Sequence, residues 1–85
     1  MKLDELHNVL EKENVHKGEY SLSESEPVLC ETALCIRRIN SGWEYYTMDR
    51  NDKLAVRRFK NEDDAVNAFL EEMADSYPGL KKYIA

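Results

Sequence analysis

The sequence predicts an α+β fold, in which a three- to four-stranded antiparallel β-meander is packed on one face by an N-terminal and a C-terminal helix. Three observations predict it: a short amphipathic stretch at the N-terminus, three consecutive strand-like runs in the middle, and an acidic helix near the C-terminus. A chain of 85 residues can form only one hydrophobic core, so we expect residues 1–85 to be a single domain. With 42% hydrophobic residues, the chain is too apolar to be disordered.

The N-terminal helix is predicted from leucines at helical spacing. One face of it carries Leu3, Leu6 and Leu10. We expect the helix to end near Asn14, because Gly18 and the segment 23–27 contain turn-forming residues. Tyr20 and Leu22 alternate with polar neighbours and predict a short edge strand.

The middle of the chain holds three strand-like runs with short connections between them. The runs cover residues 32–39, 43–48 and 54–60. Short connections predict an antiparallel meander. We expect a three-residue hairpin loop at 40–42, which places Arg38, Glu44 and Arg58 in a cross-strand row of alternating charges. The same register pairs Trp43 with Phe59.

This register also pairs Tyr45 with Arg57 and Met48 with Leu54, and it assigns the side chains to two faces of the sheet. The predicted core face carries Leu34, Ile36, Tyr46, Met48, Leu54 and Val56. The predicted open face carries Cys35, Ile39, Trp43 and Phe59 beside Arg37, Tyr45 and Arg57. The open face would therefore combine aromatic rings with guanidinium groups.

The C-terminal helix has a clear beginning and end. Asn61 is a good N-cap, and three acidic residues follow in the first turn, where the helix dipole favours negative charge. The inner face carries Val66, Phe69, Leu70, Met73 and Tyr77, and the outer face carries Asp64, Ala68, Glu71 and Asp75. Pro78 and Gly79 end the helix, and Leu80 begins a final turn that we expect to pack on the domain.

No pattern for catalysis or cofactor binding is present in the sequence. It contains no phosphate-binding glycine loop and no recognisable nucleophile motif. Cys30 and Cys35 are separated from His7 and His16, so we expect reduced thiols packed as small hydrophobic groups. We therefore predict no catalytic residue, no metal site and no cofactor, and a protein that is not an enzyme.

Charge is segregated along the chain. Residues 37–60 contain seven basic and three acidic side chains, whereas the remainder contains five basic and fourteen acidic ones. The sheet is thus predicted to be basic and the helices acidic, although ordinary surface solubility explains either patch alone. The sequence has no apolar run that predicts a signal segment or a membrane span, so we expect a cytoplasmic protein.

Two segments resemble a known family. The segment 43–51, with Trp43 near its start, precedes Phe59 and the acidic segment 62–70. This arrangement resembles a small α+β immunity-protein family of bacterial polymorphic toxin systems. In that family a tryptophan opens the second strand of a hairpin, an acidic-Arg-Gly turn ends it, and a phenylalanine closes the third strand before an acidic helix. Here Asn51 stands in place of the glycine, and asparagine also tolerates positive φ.

The resemblance implies a non-catalytic protein that binds a cognate protein toxin and occludes its active site, a nuclease being one candidate class. Two surfaces are predicted to bind it. The acidic helix face comprises Asp64, Glu71, Glu72 and Asp75, which would fit a basic cleft. The alternative sheet face comprises Arg37, Trp43, Tyr45 and Arg57, residue types enriched in interface hot spots. Trp43 and Phe59 are at the same time the large aromatic residues most expected in the core.

Two other classes of function stay open at this stage. A small nucleic-acid-binding or regulatory module would use the aromatic residues and arginines of the sheet. The sequence pI of about 5.0 argues against this class, and we expect no nucleic-acid partner. A structural subunit of a larger complex is the third class, although we favour a monomer with no membrane partner.

Overall fold

The computed structural model describes residues 1–26 and 28–84, and its elements follow the predicted order. They are α1 (Leu3–Lys12), a 3₁₀ turn (Lys17–Glu19), β1 (Tyr20–Ser21), β2 (Thr32–Ile39), β3 (Gly42–Asp49), β4 (Asp52–Phe59), α2 (Glu62–Met73) and a terminal 3₁₀ helix (Pro78–Tyr83). The four strands form one sheet in the order β1-β2-β3-β4. The predicted α+β class is therefore confirmed. Pro27, part of the predicted turn segment, lies outside the described residues.

Helix α1 is held by its leucines. Leu6 and Leu10 are fully buried, and Leu3 is partly buried. Asn14 follows the end of the helix with a φ of 58°, a left-handed conformation in which asparagine commonly ends helices. The predicted helix and its end near Asn14 are confirmed.

The short edge strand β1 is also confirmed, but its direction differs from a pure meander. Tyr20 pairs with Leu34 and Ser21 with Cys35 in a parallel arrangement. A parallel pair needs a long connection, which residues 22–31 provide between the two strands. The sheet is thus mixed, whereas β2, β3 and β4 form the predicted antiparallel meander.

The predicted register between β2 and β3 is wrong by one residue. Ile39 pairs with Gly42, so only Asn40 and Ser41 connect the strands, and Arg38 lies opposite Trp43. Gly42 is thus the first residue of β3. Its φ of 145° is a conformation that glycine adopts readily and that a side chain would disfavour. The predicted three-residue loop counted this glycine as part of the turn.

The hairpin between β3 and β4 follows the prediction at one end only. The pairs of Trp43 with Phe59 and of Tyr45 with Arg57 are confirmed, as is that of Glu44 with Arg58. Near the turn, however, Met48 pairs with Lys53 instead of Leu54. The cause is a bulge that adds one residue to β4.

Backbone conformation shows how the turn and the bulge are made. Arg50 and Asn51 both have positive φ, 49° and 72°, as the central residues of a tight type I′ hairpin require. Ala55 lies in the bulge with a φ of 53°. The asparagine that replaces the glycine of the resembled family therefore accommodates this turn.

These shifts reverse the faces predicted for β3. Trp43, Tyr45 and Phe59 pack with Leu34 and Ile36 in the core beneath the helices. On the opposite side of the sheet, a smaller cluster contains Ala33, Cys35, Tyr46 and Met48. Leu54 and Val56, also predicted to be core residues, are 46% and 38% exposed. The aromatic residues Trp43 and Tyr45 thus occupy the covered face.

Helix α2 supplies most of the remaining core. Its buried residues are Ala65, Val66, Ala68, Phe69, Leu70 and Met73. Ala68 was predicted on the outer face, but this prediction is wrong because the residue is buried, with 6% of its surface exposed. Asn61 occupies the N-cap position, but its side-chain amide donates to Asp64 Oδ2 at 3.4 Å instead of capping the helix backbone. The predicted end of this helix at Pro78 is wrong, because α2 ends at Met73 and Tyr77 lies beyond it. The terminal 3₁₀ helix begins at Pro78 and buries Leu80, so the predicted packing of the final turn is confirmed.

Candidate functional site

The acidic helix face lies along α2 and the turn that follows it. Asp64 and Glu71 are seven residues apart and lie on one side of α2, Glu72 lies beside Glu71, and Asp75 stands in the turn that follows the helix. All four residues are exposed. Within the described residues, none of the four takes part in an ion pair. This surface therefore presents four carboxylates whose charge is not neutralised by a neighbouring cation.

The two acids at the start of α2 have a different role. Glu62 Oε2 accepts a hydrogen bond from the Leu3 backbone N–H at 2.7 Å. Asp63 Oδ1 accepts from the N-terminal ammonium at 2.9 Å and lies 3.4 Å from Lys2 Nζ. The hydrogen bond from the N-terminal ammonium holds the pKa of Asp63 below its usual range. These carboxylates connect α2 with the start of α1.

The predicted sheet face does not exist as one surface. Trp43, Tyr45 and Arg57 lie on the side of the sheet that the helices cover, and Arg37 lies on the other side. The one-residue difference in the β2–β3 register separates them, because neighbouring residues of a strand point to opposite faces. The grouping of these four residues was therefore wrong.

Arg37 and Arg38, which are neighbours in β2, each have an internal contact. Arg37 donates hydrogen bonds at 2.9 Å to the backbone oxygen and the hydroxyl of Ser21, and so joins β2 to β1. The Arg38 guanidinium lies over the Trp43 ring, 5.1 Å from its centroid. Such stacking stabilises a partly exposed tryptophan. These hydrogen bonds from Arg37 stabilise the pairing of the edge strand β1 with β2.

The open face of the sheet has a buried carboxylate at its centre. Glu44 is 5% exposed and forms ion pairs with Lys53 and Arg58, the second at 3.2 Å. The hydrogen bond from Lys53 is the main cause that lowers the pKa of Glu44. The predicted pair of Glu44 and Arg58 is thus confirmed, but Lys53 occupies the place predicted for Arg38.

Next to this ion-pair group, Tyr46 is shielded from solvent. It is 6% exposed, and Lys53 Nζ lies 4.5 Å from the centroid of its ring. A ring in this position offers little surface on which a nucleic-acid base could stack. The open face is therefore basic at its rim but does not provide an aromatic platform.

Two grooves border the C-terminal part of the acidic helix face, around Glu71, Glu72 and Asp75. The first, of about 280 Å³, is lined by Tyr45, Thr47, Ala55, Arg57, Ala68, Glu71 and Glu72. The second, of about 240 Å³, has acidic walls formed by Glu19, Glu72 and Asp75. Glu72 lies between the two grooves and contributes to both. Sequence reasoning missed the contribution of Glu19 and Thr47, since no helical or strand period links them to α2.

The thiols and imidazoles are not assembled into a metal site. Cys35 is fully buried, and burial raises the pKa of its thiol. Cys30 is partly exposed, and its Sγ lies 3.9 Å from His16 Nδ1. His7 lies elsewhere, with Nε2 3.2 Å from Glu26 Oε1. Within residues 1–26 and 28–84, no group of three or more His, Cys, Asp or Glu side chains is arranged to hold a metal ion.

Two further findings bear on the class of protein. Over the described part of the chain, no helix combines the length and the apolar character needed to span a membrane. The chain matches no protein-family model, no curated protein and no solved structure among those compared.

Proposed function

We propose that this chain is an immunity protein that neutralises a cognate bacterial toxin, without catalysis, by binding a basic surface of the toxin through the acidic helix face. The observation that carries the proposal is the set of exposed carboxylates at Asp64, Glu71, Glu72 and Asp75, none of which is ion-paired within the described residues. Unpaired charge on a rigid helix attracts an oppositely charged partner and accelerates the encounter.

The acidic helix face is supported by a helix that is firmly packed on the core. Three of the four carboxylates stand on α2, which is anchored through Phe69 and Leu70, and Asp75 stands in the turn after it. A helix fixed in this way has its backbone already ordered before binding, which lowers the entropic cost of association. An acidic helix of this kind can enter the positively charged cleft of a nuclease and block access of the substrate.

The sequence resemblance supports the same class. The residues that carry the resemblance are Trp43 near the start of β3, Asn51 in the turn and Phe59 at the end of β4, followed by α2. Protection of the producing cell requires the protein to be in the compartment that the toxin attacks, which we take to be the cytoplasm.

The rival function, binding of nucleic acid by the sheet, has one supporting observation. Lys53 and Arg58 are on the open face and both are more than 40% exposed. Against it, both cations are paired with Glu44, and Tyr46 is shielded. We therefore treat nucleic-acid binding as the contrasting outcome of the test.

The test uses the C-terminal domain of the protein encoded immediately upstream as the binding partner. We expect a stable complex with the purified chain, measured by calorimetry, whose affinity falls as salt is raised. The double charge reversal Glu71→Lys with Asp75→Lys should weaken binding at least about 10-fold. The matched control, Asp4→Lys with Glu11→Lys, reverses two exposed acids on α1 and should change affinity by less than about 3-fold.

Two results would contradict the proposal. One is a complex whose affinity is unchanged by the double reversal on α2. The other is absence of a complex together with salt-sensitive binding of a fluorescent single-stranded oligonucleotide, which would favour the nucleic-acid function.

A further inference from the structure

A buried tyrosine faces the acidic helix face without an internal hydrogen-bond partner. Tyr45 is 5% exposed, and its ring belongs to the main core. Its hydroxyl forms no hydrogen bond with any of the residues that the structure describes. Buried tyrosine hydroxyls normally have a partner, so this one is available for an external group.

The hydroxyl reaches the surface at the groove between α2 and the β3–β4 hairpin. Across the described residues, no side-chain nitrogen or oxygen is both sealed from solvent and without a partner. The unbonded hydroxyl of Tyr45 is therefore in contact with solvent, and Tyr45 lines the 280 Å³ groove. The solvent contact of the hydroxyl and the position of Tyr45 in the groove lining together indicate that the hydroxyl opens into this groove.

The walls of this groove carry opposite charges that do not pair with each other. Glu71 and Glu72 stand on the helix side, and Arg57 stands on the strand side as the cross-strand partner of Tyr45. The Arg57 guanidinium lies 5.1 Å from the centroid of the Phe59 ring, on which it stacks. No ion pair joins it to either glutamate within the described residues. Glu71 Oε1 accepts a hydrogen bond from the Asn67 side-chain amide at 3.1 Å, but neither carboxylate is neutralised by a cation of the described residues.

The chemistry of the groove selects a cation with several N–H donors. Burial raises the pKa of Tyr45 to about 12, so the hydroxyl is neutral at physiological pH and its oxygen can accept a hydrogen bond. Two carboxylates on one wall favour a planar guanidinium, which can donate two parallel bonds to a carboxylate and a further one to the tyrosine oxygen. An ammonium group has fewer donors and no such fork.

We propose that this groove receives one arginine side chain of the bound partner, with its guanidinium between the Tyr45 hydroxyl and the carboxylates of Glu71 and Glu72. The inference rests on the proposed function, because it specifies which group of the toxin the acidic helix face recognises. Ala68 leaves room for the incoming side chain, since it contributes only a methyl group to the groove.

The first test uses a small probe and needs no toxin. N-acetyl-arginine methylamide is titrated into ¹⁵N-labelled protein, with the neutral citrulline analogue as the control. We expect amide shifts at Thr47, Ala68 and Glu71 with millimolar affinity for arginine and no such shifts for citrulline. Shifts that are equal for the two probes, or that map to other residues, would overturn the proposal.

The second test is a matched pair of single-atom variants. Tyr45→Phe removes the groove hydroxyl, and Tyr46→Phe makes the same change on the opposite face of the same strand. We expect Tyr45→Phe to weaken binding of the arginine probe and of the upstream-encoded domain about 3- to 10-fold, the range for a lost hydrogen bond. Its melting temperature should stay close to that of the wild type, since the hydroxyl has no internal partner. Tyr46→Phe should leave both affinities unchanged.

The two tests separate the two proposals. If the double reversal on α2 abolishes binding of the upstream-encoded domain but Tyr45→Phe does not weaken it, the arginine site is wrong and the immunity function stands. If the arginine probe binds in the groove but the upstream-encoded domain does not bind, the site stands and the immunity function is wrong. A larger effect of N-acetyl-lysine methylamide than of the arginine probe would also overturn the choice of guanidinium.

Discussion

The conformation of Ala55 allows a sharp test of the bulge in β4. Its φ of 53° is left-handed, and this conformation costs an L-residue about 1–2 kcal/mol. Glycine lacks this cost, so Ala55→Gly removes it from the folded state. The same substitution makes the unfolded chain more flexible, which lowers stability by about 0.4–1 kcal/mol. Because Ala55 is exposed, little buried surface is lost.

The balance of these terms predicts that Ala55→Gly stabilises the protein. The expected increase in the free energy of unfolding is about 0.5–1 kcal/mol. For a domain of this size, such an increase raises the melting temperature by about 2–8 °C. Urea unfolding followed by the fluorescence of Trp43, the single tryptophan, measures the first quantity, and circular dichroism on heating measures the second.

Ala65→Gly is the matched control, with the opposite expected sign. Ala65 is fully buried in α2, where glycine lowers helix stability by about 1 kcal/mol and the lost methyl group removes a further ~0.8 kcal/mol of burial. If Ala55→Gly instead destabilises the protein as much as Ala65→Gly does, Ala55 is not in a left-handed bulge. The register derived for β3 and β4 would then be incorrect.

Three further perturbations test the core, the hairpin and the ion-pair group. Phe69→Ala should lower the free energy of unfolding by about 3–5 kcal/mol, because this ring is fully buried; a loss below 1 kcal/mol in urea unfolding would contradict the core assignment. Gly42→Ala should lower the melting temperature markedly, since a β-carbon at this φ would collide with the carbonyl oxygen of Phe59; an unchanged value would contradict the two-residue turn. Glu44→Gln should remove a pH-dependent contribution to the free energy of unfolding, because the pKa of Glu44 is lower in the folded state than in the unfolded chain. The stabilisation by Glu44 is complete above the unfolded pKa of about 4.3. It is lost as the pH falls through the folded pKa. Urea unfolding from pH 6 to pH 3 should show the wild type losing its advantage over Glu44→Gln, and a constant difference would refute the assignment.

Local patterns were sufficient where each element has a strong period and clear ends. The leucines of α1 and the acidic first turn of α2 allowed both helices to be predicted, and the three runs of the meander were located to within two residues at each end. These features depend on neighbours three or four residues away along a helix, or two along a strand. The acidic helix face could be predicted for the same reason.

The pairing of β2 with β3 could not be predicted in the same way. Counting Gly42 in the turn or in the strand changes the loop by one residue, and this change moves Trp43 and Tyr45 from one face of the sheet to the other. A two-residue loop and a three-residue loop are both compatible with the turn-forming residues at 40–42. Burial of the two large aromatic residues beneath the helices decided between them, and this is a property of the assembled core.

By itself, then, the sequence determined the order and type of the elements, the end of α1, the start of α2 and the acidic residues on the outer side of α2. The tertiary structure alone decided which sheet face is covered, that β1 runs parallel to β2, and that Tyr45 lines a groove together with Glu71 and Glu72. The physical reason is the range of the interactions. Periodicity and capping act within one element, whereas register and burial are chosen by packing between residues that are distant in the chain.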